Sequence, residues 1–361
     1  MLANSMDALK KILPPGRRRR LARAALLVLA LAVGASCAGP VPRHDGPPSN
    51  HFDGRRFFHE PPVNKSFWTF LRWRFTREPA GDWTVDLAPP AAPPPPARVT
   101  GDALRITFVN HATVLVQTRG LNLLTDPIWS ERASPFERLG PRRHLAPGVA
   151  FDQLPPIDGV LLSHNHYDHM DLPTLRRLAE RDDPLFLVPL ANCAYLRDIA
   201  GARCAELDWW DATDLLPGLR IHAVPAVHWS RRGLWDTNRA LWSGWVIEGA
   251  RRVYFAGDTG YGEHFAAIRA RLGPPDLAIL PIGAYLPRWF MAAQHISPTE
   301  AVSAADALGA GVTMAMHHAC FELADDGQWQ ARDEFEARLL DRKDREEAFW
   351  VPAHGEARLW N

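Results

Sequence analysis

For residues 100–361 the sequence predicts an α/β layered domain with mixed sheets. Two observations carry that prediction. Short apolar strand signals crowd the start of this region and helix signals enter later, which excludes a simple βα repeat. Residues able to ligate a metal recur where those strand signals end. In chain order, strands are expected at Leu104–Val109, Thr113–Gln117, Leu121–Thr125, Gly159–Leu162, Leu185–Val188, Leu219–Val224, Trp242–Ile247, Arg252–Ala256, Leu277–Leu280, Val312–Met316 and Phe349–Val351. Helices are expected at Leu172–Arg181, Ala191–Ala200, Glu263–Leu272, Pro298–Leu308 and Arg332–Leu340. No internal repeat is visible.

The stretch Ser163-His164-Asn165-His166-Tyr167-Asp168-His169-Met170-Asp171 stands between an apolar strand and an apolar helix. A histidine-rich surface loop would lack both flanks. In extended backbone, residues two apart point the same way, so His164 and His166 can reach one ion. Asp168 and His169 lie further along the turn and can face a second. Imidazole mixed with carboxylate suits zinc, although iron or manganese can share such a site. An earlier strand ends on Asp126, and later strands end on His228, Asp258 and His317. His164, His166 and His228 with Asp258 can hold one ion. Asp168, His169 and His317 with the other oxygen of Asp258 can hold a second. A carboxylate shared in this way leaves room for a bridging hydroxide, as in two-metal hydrolases. Taken singly, each later histidine reads as an ordinary loop residue, and Asp258 as a helix cap.

Composition bounds the rest. With 47% hydrophobic residues in 361, a sizeable core is possible and global disorder is excluded. The net charge is zero, but residues 1–36 carry +6, which leaves −6 on the remainder and argues against a nucleic-acid partner. Arg17–Arg20 precede the apolar run 24–33 and then Gly34-Ala35-Ser36-Cys37. That run is short for a spanning helix, which needs about 20 residues, and its flanks are those of a signal peptide. Its end resembles a bacterial lipobox with Cys37 as the lipidated residue. Ordinary cleavage, an uncleaved anchor and a cytoplasmic chain are the alternatives. The expected organisation is therefore a signal or lipoprotein segment over 1–37, a proline-rich tether with an aromatic-basic segment over 38–99, and the hydrolase domain over 100–361. Export places the chain in a bacterial envelope, the periplasm, anchored through Cys37 or the N-terminal segment.

Within 38–99, residues 38–50 read as a tether and 86–97 as a polyproline spacer. Between them, residues 67–77 mix aromatics with arginines. On a helix, Phe67, Phe70, Leu71 and Arg74 would share one face, and Trp68, Leu71 and Phe75 another. Such a helix either meets lipid headgroups or packs its aromatics on the domain, and the second is favoured. Cys193 and Cys204 either pair or are small buried hydrophobes, and the second is again favoured. No Cys-x-x-Cys pair exists, so a zinc-finger reading fails.

The string His164-Asn165-His166-Tyr167-Asp168-His169, followed by His228, Gly257-Asp258-Thr259-Gly260 and His317, resembles the metallo-β-lactamase superfamily. The resemblance implies a four-layer αββα sandwich with a dinuclear metal site at the edge of its two sheets. Pro281-Ile282-Gly283-Ala284-Tyr285-Leu286-Pro287-Arg288-Trp289-Phe290-Met291 with Gln294-His295 is similar to the N-acylphosphatidylethanolamine-hydrolysing phospholipase D family. So are His228-Trp229, Leu241-Trp242-Ser243-Gly244-Trp245 and Ala353-His354-Gly355-Glu356, and the likeness runs from about residue 50 to the end. It implies two zinc ions per chain: one on His164, His166 and His228, the other on Asp168, His169 and His317, with Asp258 between them. It also implies catalytic roles for Asp168, Asp258 and His295, and supporting roles for Asp126 and His354. His318 departs from the family's tryptophan beside the last ligand. The implied reaction is phospholipase D-type hydrolysis of an N-acylphosphatidylethanolamine-like phospholipid, with the membrane surface as partner. The alternatives are hydrolysis of a lactone, thioester or other phosphodiester on the same fold, and a non-catalytic zinc-binding lipoprotein.

Overall fold

The computed structural model describes residues 41–60, 67–88, 92–340 and 348–361. The expected signal segment and Cys37 lie outside these residues. Fourteen strands form two seven-stranded sheets among the described residues. The first contains β1 (Leu104–Asn110), β2 (Thr113–Thr118), β3 (Leu121–Thr125), β4 (Gly159–Leu161), β5 (Leu185–Pro189), β6 (Arg203–Leu207) and β14 (Ala357–Trp360), in the order β14-β1-β2-β3-β4-β5-β6. The second contains β7 (Ala212–Leu216), β8 (Leu219–Val224), β9 (Gly244–Glu248), β10 (Arg252–Phe255), β11 (Leu277–Pro281), β12 (Val312–Met316) and β13 (Phe349–Trp350), in the order β13-β12-β11-β10-β9-β8-β7. Both sheets mix parallel and antiparallel pairs.

Alternation within each central strand explains the layering. On β3, Leu123 enters the core between the sheets and Leu124 the outer core. On β10, Val253 and Phe255 point between the sheets while Tyr254 points outward. Both faces are buried, so these strands read as unbroken apolar runs. Helix α2 (Leu172–Asp182) covers the outer face of the first sheet through Leu175 and Leu178. Helices α3 (His264–Leu272), α5 (Pro298–Leu308) and α6 (Gln330–Leu339) cover the second through Phe265, Ala301, Leu308 and Phe335, with the one-turn α4 (Arg288–Met291) between α3 and α5 in the chain. The result is the expected αββα sandwich. Helix α5 starts on a full capping box, with Ser297 and Glu300 satisfying each other's backbone N–H.

The differences from expectation have physical causes. Three strands that carry no clear sequence signal, β6, β7 and β14, are all sheet edges, where one side lacks a neighbour and the apolar run disappears. The expected helix Ala191–Ala200 is only a turn at Cys193–Tyr195. Ala191 takes φ of 66°, and the Asn192 amide donates to Pro189 O and Leu241 O. Cys193 and Cys204 are joined in a disulfide with Cα atoms 5.9 Å apart, so the favoured reading of two free thiols is corrected. The aromatic-basic segment forms helix α1 (Phe67–Thr76), but neither expected face is the buried one. Trp73 is buried, whereas Trp68 and Phe75 are 76% and 82% exposed. Past the expected tether, Phe52 and Phe57 are buried in the outer core.

Candidate metal centre

The C-terminal ends of β3, β4, β8, β10 and β12 meet at one rim of the sandwich. Asp126, the 164–169 stretch, His228, Asp258 and His317 follow these five ends in turn. Close approach there demands glycine. Gly257 has φ of 60°, and a Cβ on it would lie 2.5 Å from the Ser163 Cβ. A Cβ on Gly283 would lie 2.1 Å from the His317 carbonyl oxygen.

His164, His166 and His228 form the first group. His164 Nε2 lies 2.8 Å from His166 Nδ1, and His228 Nε2 lies 3.3 Å from the same atom. Their neighbours fix the tautomers. His228 Nδ1–H donates to Gln294 O at 3.0 Å. The Ser163 hydroxyl donates to Asp126 Oδ2 at 2.5 Å, so its oxygen accepts from His164 Nδ1–H at 2.9 Å. Both Nε2 atoms therefore present lone pairs to His166 Nδ1. One proton on His166 can satisfy only one of them, whereas a cation satisfies all three. Burial holds His164 and His228 well below the ordinary imidazole range and lowers His166 to about 4. All three are thus neutral, as ligation requires.

Asp168, His169 and His317 form the second group, and Asp258 stands between the two. Asp168 Oδ2 is 3.3 Å from both His169 Nε2 and His317 Nε2. Asp258 Oδ1 is 3.2 Å from His317 Nε2, while its Oδ2 is 3.2 Å from His169 Nε2 and 3.8 Å from His228 Nε2. His169 Nε2, His317 Nε2 and Asp258 Oδ1 are buried and lack a well-aligned hydrogen-bond partner. Burial opposes charge on His169, but Asp258, Asp168 and Asp126 outweigh it and hold the ring well above its usual range. His317 is likewise raised to about 9 against burial, by Asp258 and Asp168. A divalent cation can take the place of the protons on these rings. Asp126 supports this group by accepting from His169 Nδ1–H at 2.7 Å and from the Ser163 backbone N–H at 2.7 Å.

His295 lies at the edge of the cluster, its Nδ1 3.9 Å from Asp258 Oδ2. His354 is placed elsewhere. Its Nδ1–H donates to Ala146 O at 2.7 Å, and it lines a separate cavity of about 430 Å³ with His318. His318 therefore faces that cavity, and it is absent from the lining of the larger one beside the cluster. His111, which the sequence reading did not single out, joins the second group, with Nε2 3.0 Å from Asp168 Oδ2. A lone histidine after a strand gives no spacing signal that could have found it.

The cluster opens on a cavity of about 760 Å³. His166, Asp168, Asp258 and His295 supply polar lining, and Phe70, Trp73, Phe290, Met291 and Leu323 supply apolar lining. Helix α1 is held there by Trp73, which stacks on Phe290 at 4.9 Å and donates Nε1–H to Asp325 Oδ2 at 3.2 Å.

Comparison with known proteins agrees with this geometry. A β-lactamase superfamily domain matches residues 121–318. N-acyl-phosphatidylethanolamine-hydrolyzing phospholipase D 1 of Caenorhabditis elegans is 36% identical over 257 residues, which are 68% of this chain and 72% of that protein. The mitochondrial N-acyl-phosphatidylethanolamine-hydrolyzing phospholipase D of Saccharomyces cerevisiae is 34% identical over 237 residues, 64% of this chain and 50% of that one. Among solved structures, the metallo hydrolase Igni18 of Ignicoccus hospitalis superposes with a TM-score of 0.53 at 19% identity, covering 72% of this chain and 99% of that one, which bears on the fold alone. The chain belongs to the β-lactamase superfamily, as a metal-dependent hydrolase related to the N-acyl-phosphatidylethanolamine-hydrolysing phospholipases D.

Proposed function

We propose that the chain is a phospholipase D-type phosphodiesterase that cleaves N-acylphosphatidylethanolamine-like lipids with two zinc ions. The observation that carries this reading is the cavity, where a wall of aromatic and apolar side chains adjoins a cluster of imidazoles and carboxylates. A phosphodiester headgroup with acyl chains needs both surfaces at once. His164, His166 and His228 would hold one ion, and Asp168, His169 and His317 the other, with Asp258 shared. Bound there, the ions supply Lewis acidity, lowering the pKa of water and neutralising phosphoryl charge.

The chain's own residues do the positioning. Asp126 fixes the His169 ring so that Nε2 faces inward, and Gln294 O does the same for His228. His295 stands where it can meet a phosphoryl oxygen or the departing oxygen, beside Asp258. Phe290 and Met291 would give the acyl chains an apolar wall. The exposed Trp68, Phe75 and Trp289, with Arg72 against the Trp289 ring at 4.9 Å, suit a membrane surface next to this cavity. The N-terminal basic and apolar run supports an envelope location, anchored through Cys37 or that segment. Phospholipid is then within reach.

Mass spectrometry of N-acylphosphatidylethanolamine vesicles incubated with zinc-loaded protein tests the reading. Phosphatidic acid and N-acylethanolamine should appear, and chelation should abolish both. Intact lipid beside steady hydrolysis of a lactone or thioester would contradict it.

A further inference from the structure

We infer that His111 is a positioning residue that ties the two halves of the second ligand group together. This inference rests on the ligand set proposed above. His111 follows β1 directly, where the pairing register of β1 and β2 shifts between Phe108 and Asn110. Its φ is 45°, a left-handed conformation that a non-glycine residue keeps only when the surroundings enforce it. At 1% exposure the residue is sealed inside the protein.

Two contacts explain what that backbone achieves. The His111 carbonyl accepts from the His317 backbone N–H at 2.8 Å. The His111 side chain meets Asp168 Oδ2 at 3.0 Å. Asp168 belongs to the loop between β4 and α2, on the first sheet, whereas His317 follows β12 on the second. One residue therefore touches two ligands that arrive from different sheets, one through its side chain and one through its main chain. Its ring packs against that of His317 with centroids 4.0 Å apart, and the Phe321 ring closes the far side edge-on at 5.2 Å.

The chemistry fits a donor better than a fifth ligand. Asp168 Oδ2 carries two lone pairs. One accepts from His111 Nε2–H, and the other still faces His169 and His317. Partners of this kind set the orientation of a ligating carboxylate, and their loss typically weakens metal binding 10–100-fold.

Two substitutions separate donor from ligand. Asparagine tolerates positive φ, so His111→Asn keeps the backbone and its carbonyl but withdraws the donor from Asp168. In His111→Gln the amide N–H reaches about as far as imidazole Nε2. Zinc binding is read by competition with a chromophoric chelator, and ligand identity by the absorption spectrum of the cobalt-substituted protein. Wild type should bind two ions. His111→Asn should lose 10–100-fold in affinity for one ion, that of the second group, and His111→Gln should recover most of it with an unchanged cobalt spectrum. Binding of both ions by His111→Asn with wild-type affinity would overturn the proposal, as would a changed cobalt spectrum in His111→Gln, which would make His111 itself a ligand. Wild type that binds a single ion would overturn the two-group ligand set, and this proposal with it.

Discussion

The two candidate ligand groups share one rim but are built from opposite electrostatics. In the first, three imidazoles crowd together without a carboxylate of their own, and burial keeps them neutral. In the second, Asp168 and Asp258 face His169 and His317, and charge attraction outweighs burial. Asp258 reaches the first group, but burial outweighs its charge there, so a cation relieves lone pairs that a single His166 proton cannot all satisfy. The second is already balanced internally, so a cation must displace protons. The difference teaches that two adjoining groups drawn from the same residue types can call for a cation for different reasons. Asp258 faces both groups and is shared between them.

Asp258→Ala should break both groups together. Hydrolysis of a generic phosphodiester should fall on the order of 10³-fold, the several kcal/mol that metal assistance contributes. Elemental analysis of the variant should show fewer than two ions per chain. A variant with full metal content and near-normal turnover would mean that the groups act independently. Asp126→Asn sharpens the comparison from one side. Asp126 holds His169 directly and reaches His164 only through Ser163, so the second ion should weaken 10–100-fold and the first much less. Chelator competition distinguishes this from an equal loss at both.

Much of this was legible in the chain. The central strands announced themselves because both of their faces are buried, and the candidate ligands because they recur at strand ends. Edge strands β6, β7 and β14 stayed hidden, since half-exposed residues carry no apolar run. The Cys193–Cys204 bridge was hidden because eleven residues of sequence fix no distance between strand and turn. His111 was hidden for a related reason. Its partners Asp168 and His317 lie far along the chain, and only the stacking of the two sheets brings the three together. Helix α1 shows the limit of periodicity: Trp73 is buried by a specific stack on Phe290, which no spacing rule anticipates.

The smallest expected effect is at the exposed aromatics of α1. Trp68→Ser with Phe75→Ser should change stability by less than about 0.5 kcal/mol, as surface substitutions usually do. Binding to anionic phospholipid vesicles, read by flotation, should nonetheless fall while zinc content stays the same. Unchanged flotation would remove α1 from the membrane reading without touching the metal centre.

The most direct test of two unlike groups is a zinc titration of the chelator-treated full chain against a competing chromophoric chelator, alongside His166→Ala. Two ions per chain should bind in two resolved steps, and His166→Ala should erase one step and leave the other. A single ion, or two equal steps that His166→Ala leaves intact, would contradict the account.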